Sequence, residues 1–216
     1  NVEQFVVANQ YAKTGTAADL VAMKGMTMGF GKQNSGTIGS NRVLLKGLGL
    51  DMAKDFKLMH GGYGPTADAL ANGQVAGIGA PSGPPTGAIT KLMASNAAKF
   101  TMLTVTPDEA KKMDGGRNLW VPYTIKAGTY PGQTKDLLTI AQPNFLAVNA
   151  DVSEEHVYLL TKAIYENLPF LQAIHKATKA MNVQAATAGL PVPLHPGAAR
   201  YYKEVGVDIP AHLMAK

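Results

Sequence analysis

Along the first hundred residues, short apolar runs of strand length alternate with stretches in which apolar positions recur every three or four residues. Residues 2–7, with Phe5, Val6 and Val7 at their end, read as a strand. "TGTAADLVAMKG" (14–25) reads as a short helix, capped by Thr16 and stopped by Gly25. The apolar run 26–31 predicts a second strand. "TIGSNRVLLKGLG" (37–49) predicts a helix with Val43, Leu44 and Leu48 on one face and Gly47 and Gly49 at its end. The alternation continues through strands at 56–60, 74–80 and 100–105 and helices at 66–72 and 86–95. Strand and helix in turn, joined by short connections, predict an α/β domain with a mostly parallel sheet over residues 1–105.

Beyond residue 105 the rhythm changes. A short helix is expected at 107–113. Residues 115–132 look loop-rich and hold the only tryptophan, Trp120. Residues 137–150 are strand-like, with Pro143 arguing for a break or an edge. A long helix is predicted at 153–175, with Ser153 as N-cap, Glu154 and Glu155 in its first turn, and Pro169 kinking or ending it. A last helix begins at Pro196 and stops at Gly206. Residues 106–216 therefore carry helices but too few strands for a sheet of their own, and are expected to wrap another body.

The 216 residues are 46% hydrophobic and 16% charged, the balance of a globular chain. The net charge of +5 is carried mostly by scattered lysines, with only Arg42, Arg117 and Arg200 as arginines. No block of like charges points to nucleic acid. A mild positive field favours anionic ligands. Cysteine is absent, which excludes disulfides, thiol nucleophiles and thiolate metal sites. No apolar run is long enough to span a bilayer as a helix. The chain opens inside a strand and without an initiator methionine, so a processed or truncated chain is expected.

Three small-residue loops follow predicted strands: "GKQNSGT" (31–37), "GGYGPT" (61–66) and "GAPSGPPT" (79–86). Loops that leave the carboxyl ends of parallel strands gather on one rim, where open α/β folds bind ligands. In the first loop, glycine lets a ligand reach the unpaired N–H groups of a helix start, and Ser35 and Thr37 add hydroxyls. The competing reading is an ordinary cap by Ser35 or Thr37. Tyr63 stacks on or hydrogen-bonds a ligand, or is a packed edge residue. The loop has neither Walker A spacing nor a G-x-G-x-x-G fingerprint. Arg42, around the helix from Thr37, reads as a surface charge, and His195 as a cap or packing residue. The acids Asp108, Glu109, Asp114, Glu154 and Glu155 read as solvated residues of helix starts and turns. No nucleophile is paired with a base, no metal spacing occurs among the five histidines, and no cofactor is implied. The residues argue for binding rather than turnover.

"GKQNSGT" before an apolar helix, "AGTYPGQTKDLLTIAQPNFLAVNADVSEEHVYLLTKAIYENL" and "GLPVPLHPGAARYYKEVG" resemble, in order, the TAXI-type solute receptors of tripartite ATP-independent periplasmic (TRAP) transporters. The Leu-His-Pro-Gly-Ala-x-Arg-Tyr-Tyr-x-Glu and Gly-Thr-Tyr-x-Gly stretches are its specific parts. The resemblance implies an α/β, type II periplasmic-binding-protein fold whose two lobes close on a solute. It places Asn34, Ser35, Gly36 and Thr37 at the cleft, with Tyr63, Pro81, Ser82, Gly83 and Tyr130 near it. It further implies an exported, periplasmic protein, a small anionic or zwitterionic solute such as an amino acid or organic acid, and an integral-membrane TRAP permease as partner, with no catalysis, cofactor, metal or nucleic acid.

On this reading residues 1–105 are the second, ligand-binding lobe. Residues 106–216 are the crossover and the C-terminal helical part of a first lobe whose opening segment is expected to be absent. Phe145, Leu159 and Phe170 are then expected to be exposed. The rival expectations are a binding-protein-like sensor or interaction domain without transport, and an enzyme on the same scaffold.

Overall fold

The computed structural model describes residues 1–174 and 176–214. The chain separates into two compact units, Asn1–Gln142 and Pro143–Lys216. The first unit thus extends past residue 105, because the segment expected to be loop-rich folds back as a strand.

The strands of the first unit are β1 (Phe5–Ala8), β2 (Thr27–Gly31), β3 (Lys57–His60), β4 (Gly77–Gly79), β5 (Phe100–Met102), β6 (Val121–Ile125) and β7 (Leu137–Ala141). Its helices are α1 (Gly36–Gly47), α2 (Met52–Asp55), α3 (Tyr63–Ala71), α4 (Gly87–Asn96) and α5 (Pro107–Asp114). Residues 14–25 contain 3-10 helix, Ala17–Met23, and Thr16 caps it as expected. The main sheet has the order β3-β2-β4-β1-β5, and β6 and β7 form a separate antiparallel pair. β2 is parallel to β3 and β4, whereas β1 runs antiparallel to both of its neighbours, β4 and β5. The sheet is therefore mixed rather than mostly parallel in its pairings. Apolar periodicity marks a strand but carries no information about its direction.

Each face of the sheet is covered, in the manner of a layered α/β domain. On β1, Phe5 and Val7 join a core with Met28, Phe30, Ile38, Leu44 and Leu45, while Val6 joins Ile78, Leu70, Ile89 and Leu92 on the other face. Such alternation follows from the period of two in a strand. In α1 the buried positions are Ile38, Asn41, Leu44 and Leu45, so Val43 lies beside the inward stripe rather than at its centre. Phe30 and Phe56 meet edge to face at 5.4 Å.

Two acids expected to be solvated are buried. Glu109 closes a capping box on Thr106 at the start of α5 and also accepts from Thr16 Oγ1 and Ala18 N. Asp114 accepts from the backbone N–H groups of Asn118, Leu119 and Trp120. Burial alone would raise its pKa, but these bonds hold its carboxyl below the ordinary value. Glu3 differs from both. It is 1% exposed, and among the described residues its carboxyl accepts only from Trp120 Nε1 at 3.2 Å, leaving Oε2 without a partner. Burial pushes its pKa up to about 7, against the pull of the indole hydrogen bond.

The second unit is built on α6 (Glu154–Glu166), α7 (Leu168–Ile174) and α8 (Pro196–Glu204). The single helix expected at 153–175 is divided at Asn167; His175 lies outside the described residues. Pro169 accounts for the division, because it lacks an N–H and its ring clashes with the carbonyl four residues back. The strand expected over 137–150 ends at Ala141, just before Pro143. α6 and α8 pack through Tyr158, Tyr165, Tyr201 and Tyr202, and the Arg200 guanidinium lies 4.0 Å from the Tyr158 ring centre. His195 is the N-cap of α8, accepting from Gly197 N while its other ring nitrogen meets the Val152 carbonyl. Phe145, Leu159 and Phe170 are exposed, as the sequence led us to expect.

Candidate functional site

The mixed sheet preserves the rim. β2, β3 and β4 are mutually aligned, so the loops that follow them leave one edge together. Because β1 runs against them, its preceding residues arrive at that edge as well, and Val2 bridges Ser82 and Ala141 there. A groove of about 330 Å³ opens at this edge, lined by Asn1, Gly36, Thr37, Ser40, Tyr63, Pro81 and Gln142.

Local sequence explains each wall. Gly31, at φ 117°, turns the chain out of β2, and a Cβ on it would strike Thr37 at 2.7 Å. Asn34 follows at φ 59°, a left-handed conformation that asparagine tolerates, and it is exposed. Ser35 is the N-cap of α1. Its Oγ accepts from Ile38 N at 3.3 Å and donates to the Lys32 carbonyl at 2.7 Å. The capping role weighed for Ser35 is thus its observed one. Gly36 and Thr37 follow at the first helical positions, where their N–H groups have no acceptor within the helix. No Cβ on Gly36 would meet another atom within 4 Å, so its backbone is open to approach.

Thr37, in the first turn of α1, Tyr63, at the first position of α3, and Pro81, after β4, come together; the loop expected at 61–66 is thus already helical from Tyr63 on. Tyr63 Oη donates to the Pro81 carbonyl at 2.6 Å and lies 3.0 Å from Thr37 Oγ1. Beneath them Asn41, fully buried, donates through Nδ2 to the carbonyls of Phe30 (3.0 Å) and Gly79 (3.3 Å). It thereby holds the ends of β2 and β4 to α1. Lys32 passes beside the neighbouring loop: a Cβ on Gly62 would lie 3.3 Å from Lys32 Cε. Lys32 itself is exposed, and among the described residues no carboxylate side chain lines the groove.

Ser82 and Tyr130 belong to a second network. Gln4 Nε2 donates to Ser82 O (3.0 Å), Ser82 Oγ (3.2 Å) and Thr86 Oγ1 (3.2 Å). Tyr130 Oη donates to Gln4 Oε1 and accepts from Thr86 N at 2.9 Å. Tyr130 is 2% exposed, so its ring fills the interior rather than the groove. Burial raises its pKa despite the bond from Thr86 and the bond to Gln4. Gly83 is exposed on the same connection. Of the nine residues expected at the site, Gly36, Thr37, Tyr63 and Pro81 line the groove, Asn34, Ser35, Ser82 and Gly83 lie on the loops that shape it, and Tyr130 braces one loop from inside.

Residues 1–206 match the NMT1-like family. The chain belongs to that family. The NMT1-like chain is also similar to solved structures of ABC-transporter proteins. One is a protein assigned as the periplasmic sulfonate-binding component of a sulfonate ABC transporter of Methylobacillus flagellatus KT, at 14% identity and TM-score 0.42, covering 85% of this chain and 44% of that one. A glycine betaine/carnitine/choline ABC transporter protein follows at 14% and 0.38, covering 95% and 54%. The binding-protein component of an ABC phosphonate transporter from Pseudomonas aeruginosa matches at 15% and 0.34, covering 94% and 66%. The NMT1-like chain thus spans between 44% and 66% of the length of these proteins.

Sequence reasoning missed Gln4, Ser40, Asn41 and Thr86. Two of them carried a signal: Gln4 interrupts an apolar strand, and Asn41 occupies an inward position between Ile38 and Leu45. A polar residue on a core-facing stripe is buried with partners.

Proposed function

We propose that this chain is part of an extracytoplasmic solute-binding protein of type II periplasmic-binding-protein form, acting with a TRAP-type transporter. Residues 1–105, extended by the β6–β7 hairpin, form its ligand-binding lobe. The remainder carries the chain back to a first lobe. The observation that carries this reading is the groove at the end of β2, β3 and β4, where open helix N–H groups meet the Thr37–Tyr63–Pro81 cluster with no carboxylate among the lining side chains. Membership of the NMT1-like family supports it.

A small anionic or zwitterionic solute would set its carboxylate on the Gly36 and Thr37 N–H groups, where the dipole of α1 adds about 0.3–1 kcal/mol. Closure of the lobes would then exclude water, and delivery to an integral-membrane permease would follow from opening. The protein would work in the periplasm. Binding and release need neither a nucleophile nor a metal. A second reading, an interaction domain that meets a protein partner, is favoured only by the exposed apolar side chains of the second unit.

A thermal-shift screen against amino acids and organic acids tests the first reading. A bound solute raises Tm, and Thr37→Val lowers its affinity about tenfold by breaking the cluster, a loss near 1.4 kcal/mol. No shift with any acid would sink the reading and leave the second in its place.

A further inference from the structure

The hydroxyl protons at the groove run in one direction. The Pro81 carbonyl can only accept, so Tyr63 donates to it at 2.6 Å. Tyrosine has a single hydroxyl proton, and the 3.0 Å bond between Thr37 and Tyr63 must therefore be donated by Thr37. Ser35 in turn gives its proton to the Lys32 carbonyl. Ser35 and Thr37, whose hydroxyls the sequence offered to an anion, and Tyr63 beside them have no proton left to offer. Thr37 Oγ1 and Tyr63 Oη keep lone pairs and are acceptors. The Ser40 side chain, on the same wall, makes no hydrogen bond among the described residues, so its hydroxyl is an uncommitted donor, as are the side-chain amides of Asn1 and Gln142 that line the same groove.

The groove thus has two edges. On the α1 wall Gly36 N–H, Thr37 N–H and Ser40 O–H donate, and Thr37 Oγ1 accepts with Tyr63 Oη beside it; the Asn1 and Gln142 amides add a donor and an acceptor each. Resting on the solute-binding reading above, we infer that this groove selects carboxylates that carry their own hydrogen-bond donor, an ammonium or a hydroxyl group, with Ser40 donating to the carboxylate and Thr37 accepting from the ligand's donor. An acceptor desolvated without a partner is penalised, so a carboxylate lacking the donor is rejected more strongly than its loss of one contact implies. The proton order makes Tyr63 a positioning residue: it need not touch the ligand, but it dictates which way the Thr37 hydroxyl points.

Titration calorimetry with matched acids tests this: propionate against L-lactate and L-alanine, and succinate against L-malate and L-aspartate. Within a set, the donor-bearing acids bind at least tenfold more tightly. Tyr63→Phe leaves the Thr37 proton free to turn to a carboxylate, and the preference falls below threefold. Ser40→Ala weakens every member of a set by a similar factor and keeps the preference. Should Tyr63→Phe fail to fold, Thr37→Val removes the same acceptor and must lower the preference as well. Equal affinity for propionate or succinate, or a preference untouched by both variants, overturns the inference while leaving solute binding intact. Absence of binding by every acid overturns the solute-binding reading and the inference with it.

Discussion

The two units solve the burial of apolar surface differently. In the first, a sheet offers two faces and helices cover both, so Phe5, Phe30, Leu44, Leu45 and Ile78 are almost completely enclosed. The second is built on helices, whose apolar stripes close on one another through the tyrosines of α6 and α8. Residues off that stripe stay in solvent: Leu159 is 51% exposed, Phe170 67% and Ile174 66%. A large apolar side chain therefore means different things in the two units. In the first it holds the fold. In the second part of the apolar set is surface.

The largest effect expected from this contrast is in the first unit. Leu45→Ala should cost about 2–5 kcal/mol, because its side chain is fully enclosed between sheet and helix. Urea unfolding followed by fluorescence checks it cleanly, since the only tryptophan, Trp120, belongs to this unit. A loss below about 1 kcal/mol would mean that the core rearranges to fill the space.

Next in size is the buried carboxyl of Glu3. Its pKa is raised from 4.5 to about 7 in the folded protein, so the folded state holds the proton more tightly than the unfolded state. Stability is accordingly unpenalised below pH 4.5, falls as the pH rises from there to about 7, and remains lower above it, by about 3 kcal/mol in all. Glu3→Gln should flatten this fall and leave the variant more stable than the parent at pH 8. Unfolding curves at pH 5 and pH 8, read from Trp120, compare the two. An equal slope in both proteins would remove Glu3 as its cause.

The smallest effect is predicted for the second unit. Phe170→Ser should change stability by no more than about 0.5 kcal/mol, as expected of a surface position, and should improve solubility. Thermal melts by circular dichroism check it. A loss approaching that of Leu45→Ala would show that Phe170 is covered in solution.

Much of the fold was legible in the chain. Strand and helix order through β5 followed from periodicity except for the short α2, and the caps at Thr16, Ser35, Ser153 and His195 followed from residue chemistry at helix starts. The hairpin of β6 and β7 was not legible. Two of the five residues of β6, "VPYTI", are solvent-facing, one of them the proline at its second position, so it has neither the density nor the period of a strand. The groove was half legible. Glycine and hydroxyl content marked the loops, but which hydroxyl keeps a proton depends on neighbours from other loops.

By itself the sequence determined the α/β alternation, the gathering of three small-residue loops after successive strands, and the points where proline and glycine stop an element, because these rest on local propensity and short-range periodicity. Only the tertiary structure decided the direction of β1, the burial of Glu3, Asn41 and Tyr130, and the order of protons from Thr37 through Tyr63 to Pro81. Each of those depends on groups far apart in the chain meeting within hydrogen-bond distance, and no local pattern encodes that meeting.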